Sequence, residues 1–213
     1  SSPAAELTKV EMIEHLAFPI ALAFSDDNRL FYNERWTGRI MVMDPPFSEP
    51  QIFYQFNDVC AQKPERGFFG LALDPDFATN GHMYVHYTAA LMNGECDDEK
   101  PFTPPNKVVR VTEQALNVGG APMVLLNNLP QNKAHNGGIL RFGPDDKLYV
   151  TVGDAGDDEG SLDPTLLAGK VLRINTDGSA PLDNPFYDGP GGNEDRVYAL
   201  GVKNAFGMAF HPD

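Results

Sequence analysis

One phrase recurs along the chain: an apolar strand, an Asp-rich turn and a second strand carrying aromatic residues. It is written ALAF-SDDNRLFY, LALDPDFATNGHMYVHY, LRFGPDDKLYV and MAFHPD. The 20 glycines and 18 prolines are spread through all 213 residues, so that few stretches hold a helical period. Strand-rich units recurring every roughly 50 to 70 residues are the mark of propeller blades. These observations predict an all-β fold, a β-propeller of four-stranded blades. A two-sheet sandwich also has many short strands, but it does not repeat one strand-turn-strand phrase in every unit.

The elements follow in order. Ile20–Phe24, Arg29–Asn33, Arg39–Met43 and Gln51–Phe56 read as the strands of a first blade, with Asp26-Asp27-Asn28 and Asp44-Pro45-Pro46 supplying turn chemistry. A second blade is expected from Phe68–Leu73, Met83–Thr88, Lys107–Thr112 and Met123–Leu126, and a third from Ile139–Phe142, Leu148–Val152 and Lys170–Ile174. Arg196–Val202 and Phe206–Phe210 are expected to open a fourth. About three and a half blades are thus expected in one domain spanning residues 1–213, the N-terminal portion of a longer ring whose C-terminal blades are absent.

Charge narrows the partners. With 16 Lys and Arg against 30 Asp and Glu, the formal net charge is -14, which disfavours nucleic acid and anionic lipid and leaves small neutral molecules and divalent cations. No apolar run reaches the roughly 20 residues of a membrane span.

Strand direction then gathers the loops. In a blade whose first strand lines the axis and whose second returns, the loop before the first and the loop after the second open on one face. Glu65-Arg66, Cys60, Cys96, His135-Asn136, Asp154 to Asp158 and Lys203-Asn204 fall on that face. Cys60 and Cys96 lie at one end of the same blade; they are either a disulfide, which implies an oxidising compartment, or two buried thiols. A lone loop histidine is more often scaffold than catalyst. His135 differs in being followed by Gly137 and Gly138, which permit close ligand approach, and imidazole suits a general base at neutral pH. His82 and His86 share one strand face and read as scaffold. Asp154, Asp157 and Asp158 are oxygen donors of the kind calcium takes, although their spacing is not that of an EF-hand. Lys203 offers an anion a point charge, and Asn204 an amide to orient a hydroxyl or carbonyl.

The segments ERGFFGLALDPDFATNGHMYVHYT (65–88), HNGGILRFGPDDKLYVTVGD (135–154), LAGKVLRINTDGS (167–179), DNPF (183–186) and VYALGVKNAFGMAFHPD (197–213) resemble the glucose/sorbosone dehydrogenase family. These are soluble quinoproteins, six-bladed propellers that use pyrroloquinoline quinone (PQQ). The resemblance implies that His135 is the base that takes the anomeric proton of an aldose while hydride passes from C1 to the quinone. It also implies that Lys203 and Asn204 contact the cofactor, and that Glu65, with Asn136 beside His135, faces the substrate. Calcium would orient and polarise the quinone, its main ligands expected beyond Asp213. An electron acceptor and a periplasmic or secreted location belong to the same picture. Lys203 stands where arginine is usual, and Ala134 where some members have aspartate. Non-enzymatic relatives that act as binding ectodomains offer a rival reading, and a calcium-dependent lactonase a third, which would require hydrolysis without any quinone.

Overall fold

A computed structural model describes residues 16–47, 49–60, 65–91, 95–96, 105–189 and 191–211. Three antiparallel sheets follow one another along the chain. The first is β1 (Pro19–Phe24), β2 (Leu30–Glu34), β3 (Arg39–Met43) and β4 (Gln51–Gln55), paired in that order. The second contains β5 (Phe68–Leu73), β6 (His82–Thr88), β7 (Asn106–Ala115) and β9 (Met123–Leu129), with a two-residue β8 (Val118–Gly119) folded back on the end of β7. A single-turn helix α1 (Phe77–Asn80) sits in the β5–β6 turn. The third sheet is β10 (Gly137–Phe142), β11 (Leu148–Val152), β12 (Lys170–Ile174) and β13 (Val197–Leu200). The fold is all-β, a run of four-stranded propeller blades.

One expected boundary is corrected. The segment around Arg196–Val202 is β13, which pairs with β12 and completes the third blade instead of opening a fourth. Its long connection from β12, residues 175–196, had hidden it as a fourth strand. Phe206–Phe210 is not a strand among the described residues. It packs on the third blade, with Thr151 Oγ1 donating to the neighbouring Ala205 carbonyl at 3.3 Å and Phe210 against Tyr149, while Phe206 lines a cavity with Ile20 and Phe69 of the first two blades.

The core lies between blades, because each central strand is apolar on both faces. In β6, Met83, Val85 and Tyr87 pack with Phe31, Ile40 and Phe53 of the first blade, whereas Tyr84 packs with Leu140, Val150 and Leu172 of the third. That is the two-residue period of a strand buried on both sides. The inner strands β1, β5 and β10 lie side by side around the axis. The approach is tight enough that a methyl group on Gly70 would collide with the Gly138 carbonyl. Buried Arg29 ties the first blade to the second, its guanidinium held by Glu113 of β7 and by Asn117 Oδ1 at 3.0 Å.

Candidate active site on the axial face

Register puts the site together. Gly137 pairs with Val152 at one end of the β10–β11 hairpin, so the loop before β10 and the loop after β11 share an edge. Phe68 pairs with Tyr87, and Pro19 with Glu34, in the same sense, which brings Glu65 and the Arg35-Trp36 turn to that face.

His135 is the centre. Its Nδ1 lies 2.9 Å from Asp154 Oδ1; the imidazole is about one-third exposed, whereas the carboxylate is 1% exposed. Burial works against the charge on Asp154, but the Gly156 amide at 2.8 Å and the His135 ring outweigh it, and its pKa falls below the ordinary carboxylate value. An ionised carboxylate only accepts, so a neutral imidazole beside it carries its proton on Nδ1 and leaves the Nε2 lone pair free of a proton. His135 and Glu65 both adopt left-handed backbone, φ 61 and 52, and each stabilises the other. Glu65 Oε2 accepts the His135 N–H at 2.9 Å, while the Glu65 carbonyl accepts from Asn136 Nδ2 at 2.7 Å.

The other expected residues divide. Asn204 Oδ1 accepts the Gly137 N–H at 3.0 Å, leaving its amide hydrogens available beside the His135 loop. Lys203 is exposed and reaches Asp158 at 3.2 Å, while its carbonyl receives the Asp154 N–H at 2.8 Å. Asn136 lines the axial cavity, but its side chain is engaged within the protein. It is 2% exposed, and its amide is fully used by Glu65 O, Asn132 O, Asn132 N and Asn106 Nδ2, so it braces the loop instead. Of the three aspartates, Asp154 and Asp158 interact, whereas Asp157 is engaged elsewhere. Asp154 serves His135, Asp157 accepts the Gly160 N–H at 2.8 Å, and Asp158 meets Lys203. Among the described residues no group of three or more His, Cys, Asp or Glu side chains is placed to hold a metal. The aspartates expected as calcium ligands are thus not gathered into one metal site among the described residues.

Two features escaped the sequence. Lys170, fully buried, donates to the carbonyls of Gly160, Ser161 and Ala168, fixing the acidic loop with an internal cation; burial lowers its pKa, and Asp163 and Asp157 oppose the shift. An axial cavity of about 110 Å³ is lined by Asn136 and Gly137 of the His135 loop and by Arg35, Glu65, Phe69 and Phe206 among others. Arg35 gave no signal, since a turn arginine is ordinarily a solvated charge. Cys60 is bonded to Cys96 on this face, with the Cα atoms 5.2 Å apart.

Comparison with known proteins follows the same lines. The chain is 30% identical to quinoprotein glucose dehydrogenase B of Acinetobacter calcoaceticus over 96% of its own length and 46% of the relative's. It superposes on the PQQ-bound aldose sugar dehydrogenase of Streptomyces coelicolor with a TM-score of 0.76 and 29% identity, covering 91% of this chain and 53% of that one. It is also 28% identical to mouse Hedgehog-interacting protein over 84% of this chain and 28% of that protein. The chain spans about half the length of the two dehydrogenases. The Glucose / Sorbosone dehydrogenase family matches residues 16–213, and the chain belongs to that family.

Proposed function

We propose that this chain carries the base and part of the cofactor site of a PQQ-dependent aldose dehydrogenase that oxidises the sugar at C1, within a six-bladed ring of which it forms the N-terminal portion. The observation that supports this most is the His135–Asp154 pair, a buried carboxylate behind a partly exposed imidazole on the axial face. His135 Nε2 takes the proton of the anomeric hydroxyl. Asp154 keeps the imidazole in the tautomer that can do so and stabilises the imidazolium that results. Glu65 holds the backbone of His135 and lines the cavity, where its carboxylate can accept from a sugar hydroxyl.

The donor set suits an anionic, carboxylated quinone: the Asn204 amide hydrogens and the Lys203 ammonium would hold it, the latter through one point charge. When bound, the quinone supplies the two-electron acceptor for the hydride leaving C1. A disulfide on the same face fits a periplasmic or secreted location, and among the described residues no helix is long and apolar enough to cross a membrane.

The test is dye-coupled aldose oxidation by the full-length protein supplied with PQQ and calcium. A His135→Ala variant is expected to lose about 10²–10⁴-fold in kcat, the usual contribution of a general base. Unchanged turnover would remove His135 from the mechanism. The match to Hedgehog-interacting protein favours a second reading, a binding module that uses this face for a protein or glycan. Quinone titration separates the two, because such a module takes up no cofactor saturably.

A further inference from the structure

Building on the sugar-oxidising reading of the site, we infer that the carbonyls of Gly160, Ser161 and Ala168 form a cation site that the chain fills with its own Lys170 ammonium. That internal cation makes Lys170 a positioning residue, which holds the carboxylate behind His135 and the Lys203-Asn204 stretch in one register.

The cage is complete. An ammonium has three hydrogens to donate and accepts nothing, and Lys170 Nζ donates to the Gly160 carbonyl at 3.0 Å, to the Ser161 carbonyl at 2.8 Å and to the Ala168 carbonyl. The residue is 0% exposed. A charge so deeply buried is unfavourable unless its donors are matched. Here three carbonyl dipoles match them, and the Asp163 and Asp157 carboxylates favour the charge through space.

Three segments cross at this cation. The Ser161 carbonyl that binds Nζ also accepts the Gly201 N–H at 3.0 Å, so the loop after β11 and the stretch after β13 share one oxygen. Gly169, next to Lys170, donates to the Gly153 carbonyl at 2.9 Å and accepts the Val202 N–H at 3.0 Å. The segments are pressed together: at Gly169, with φ 65, an added Cβ would collide with the Ser161 side chain.

From the cage the two functional residues are a few bonds away. The Asp157 carbonyl accepts the Ser161 N–H at 3.2 Å, and the Asp157 N–H donates to the Asp154 carbonyl at 2.9 Å. Asp154 N–H reaches the Lys203 carbonyl at 2.8 Å, and Asn204 Oδ1 accepts the Gly137 N–H beside His135 at 3.0 Å. Without the ammonium, three carbonyl dipoles point together with no positive charge between them. The loop that carries Asp154 then parts from the stretch that carries Asn204, and the base and the cofactor contact are disturbed together.

The test uses the full-length protein supplied with PQQ and calcium. Lys170→Met keeps an apolar stem and removes the charge; it is expected to lower kcat about 10–10²-fold and to raise the quinone dissociation constant about tenfold, each per folded molecule, as a misplacement of about 1 Å does. Lys170→Ala opens the cage to added amines. Propylammonium, which replaces the missing atoms, is expected to raise the thermal midpoint of this variant saturably and to restore quinone affinity, with methylammonium less effective. Tetramethylammonium, a cation with no N–H, is expected to do neither. Where the alanine variant does not fold, Lys170→Gln, uncharged but still a donor, is read in the same two assays as Lys170→Met. Parental turnover and quinone affinity in Lys170→Met or Lys170→Gln would overturn the positioning role, and an equal response to propylammonium and tetramethylammonium would overturn the cation site. Stabilisation of Lys170→Ala by propylammonium alone, in a protein whose parent takes up no quinone, would support the cation site and overturn the dehydrogenase.

Discussion

Asp154 separates what a sequence states from what it leaves open. Three aspartates within five residues look like hard-metal ligands, yet the carboxylates are claimed one by one by an imidazole, a backbone amide and a lysine. The shared edge of the His135 loop and the acidic loop was legible, because antiparallel pairing requires it. Which carboxylate turned inward was not, because that depends on the Gly156 amide and on the burial around β11. The pKa of Asp154 lies below the ordinary carboxylate value, so the group is ionised at neutral pH and favours the Nδ1-protonated tautomer of a neutral imidazole beside it. An Asp154→Asn variant removes the charge while keeping the shape, and an amide can present its N–H₂ to Nδ1 and favour the wrong tautomer. Its kcat is expected to fall about 10²–10⁴-fold with KM altered far less, as for the carboxylate of a hydrolase triad. Turnover within a factor of about two of the parent would show that Asp154 does not position the base.

At the scale of the element, each blade repeats one device that no phrase in the sequence announces. The inner strand bulges by one residue, between Pro19 and Leu22, between Phe68 and Leu71 and between Gly137 and Leu140. A polar residue of the second strand stands opposite: Asn33, His86 and Thr151. Asn33 accepts from the amides of Ile20 and Ala21 and donates to Phe69 O in the next blade; Thr151 accepts from Ile139 N and donates to Ala205 O. The bulge therefore frees amides that its bracket residue binds, and the same side chain bridges to the next inner strand in the first blade and to the stretch after β13 in the third. Strands could be read from their period, but a bulge changes only which amides lack partners and leaves the apolar alternation almost intact. His86 is the weak bracket. It is fully buried, neither ring nitrogen finds a well-formed hydrogen bond, and desolvation pushes its pKa down to about 3 against a small opposing pull from the Gly138 backbone. The native protein therefore holds this ring neutral, whereas the unfolded chain takes up a proton near pH 6.5. The stabilisation is complete above that pH and drains away as pH falls toward 3, on the order of a few kcal/mol over the span. His86→Asn, which copies the bracket of the first blade, should flatten that limb. Urea midpoints taken from pH 7 to pH 4 decide it, and parallel slopes for the two proteins would remove His86 as the cause.

Across the whole molecule, the site depends on how closely neighbouring blades approach, since its residues come from three of them and from the stretch after β13. Glu65 enters from the second blade, His135 and Asp154 from the third, the Arg35-Trp36 turn from the first, and Asn204 follows β13. No single sheet contains a base, its carboxylate and the backbone acceptor that fixes its loop. The distance between β5 and β10 is consequently a functional quantity, and Gly70 sets it: the site of a Cβ there is already filled by the Gly138 carbonyl and also meets the Leu140 backbone nitrogen at 2.8 Å. Gly70 read from the sequence is only a glycine inside a strand, a position that usually weakens a sheet, and its partner lies 68 residues later, so no local pattern could assign it. Adding one methyl group forces the two inner strands apart. Gly70→Ala is expected to destabilise the fold by about 1–3 kcal/mol, the range for overpacking a close contact. It should also lengthen the Glu65–His135 hydrogen bond that crosses the same gap, so activity should fall further than the loss of folded protein explains. Chemical denaturation gives the first quantity, and turnover per folded molecule the second. A variant that is destabilised but fully active per folded molecule would mean that the site tolerates blade separation, and that the left-handed His135 loop is held from within the third blade alone.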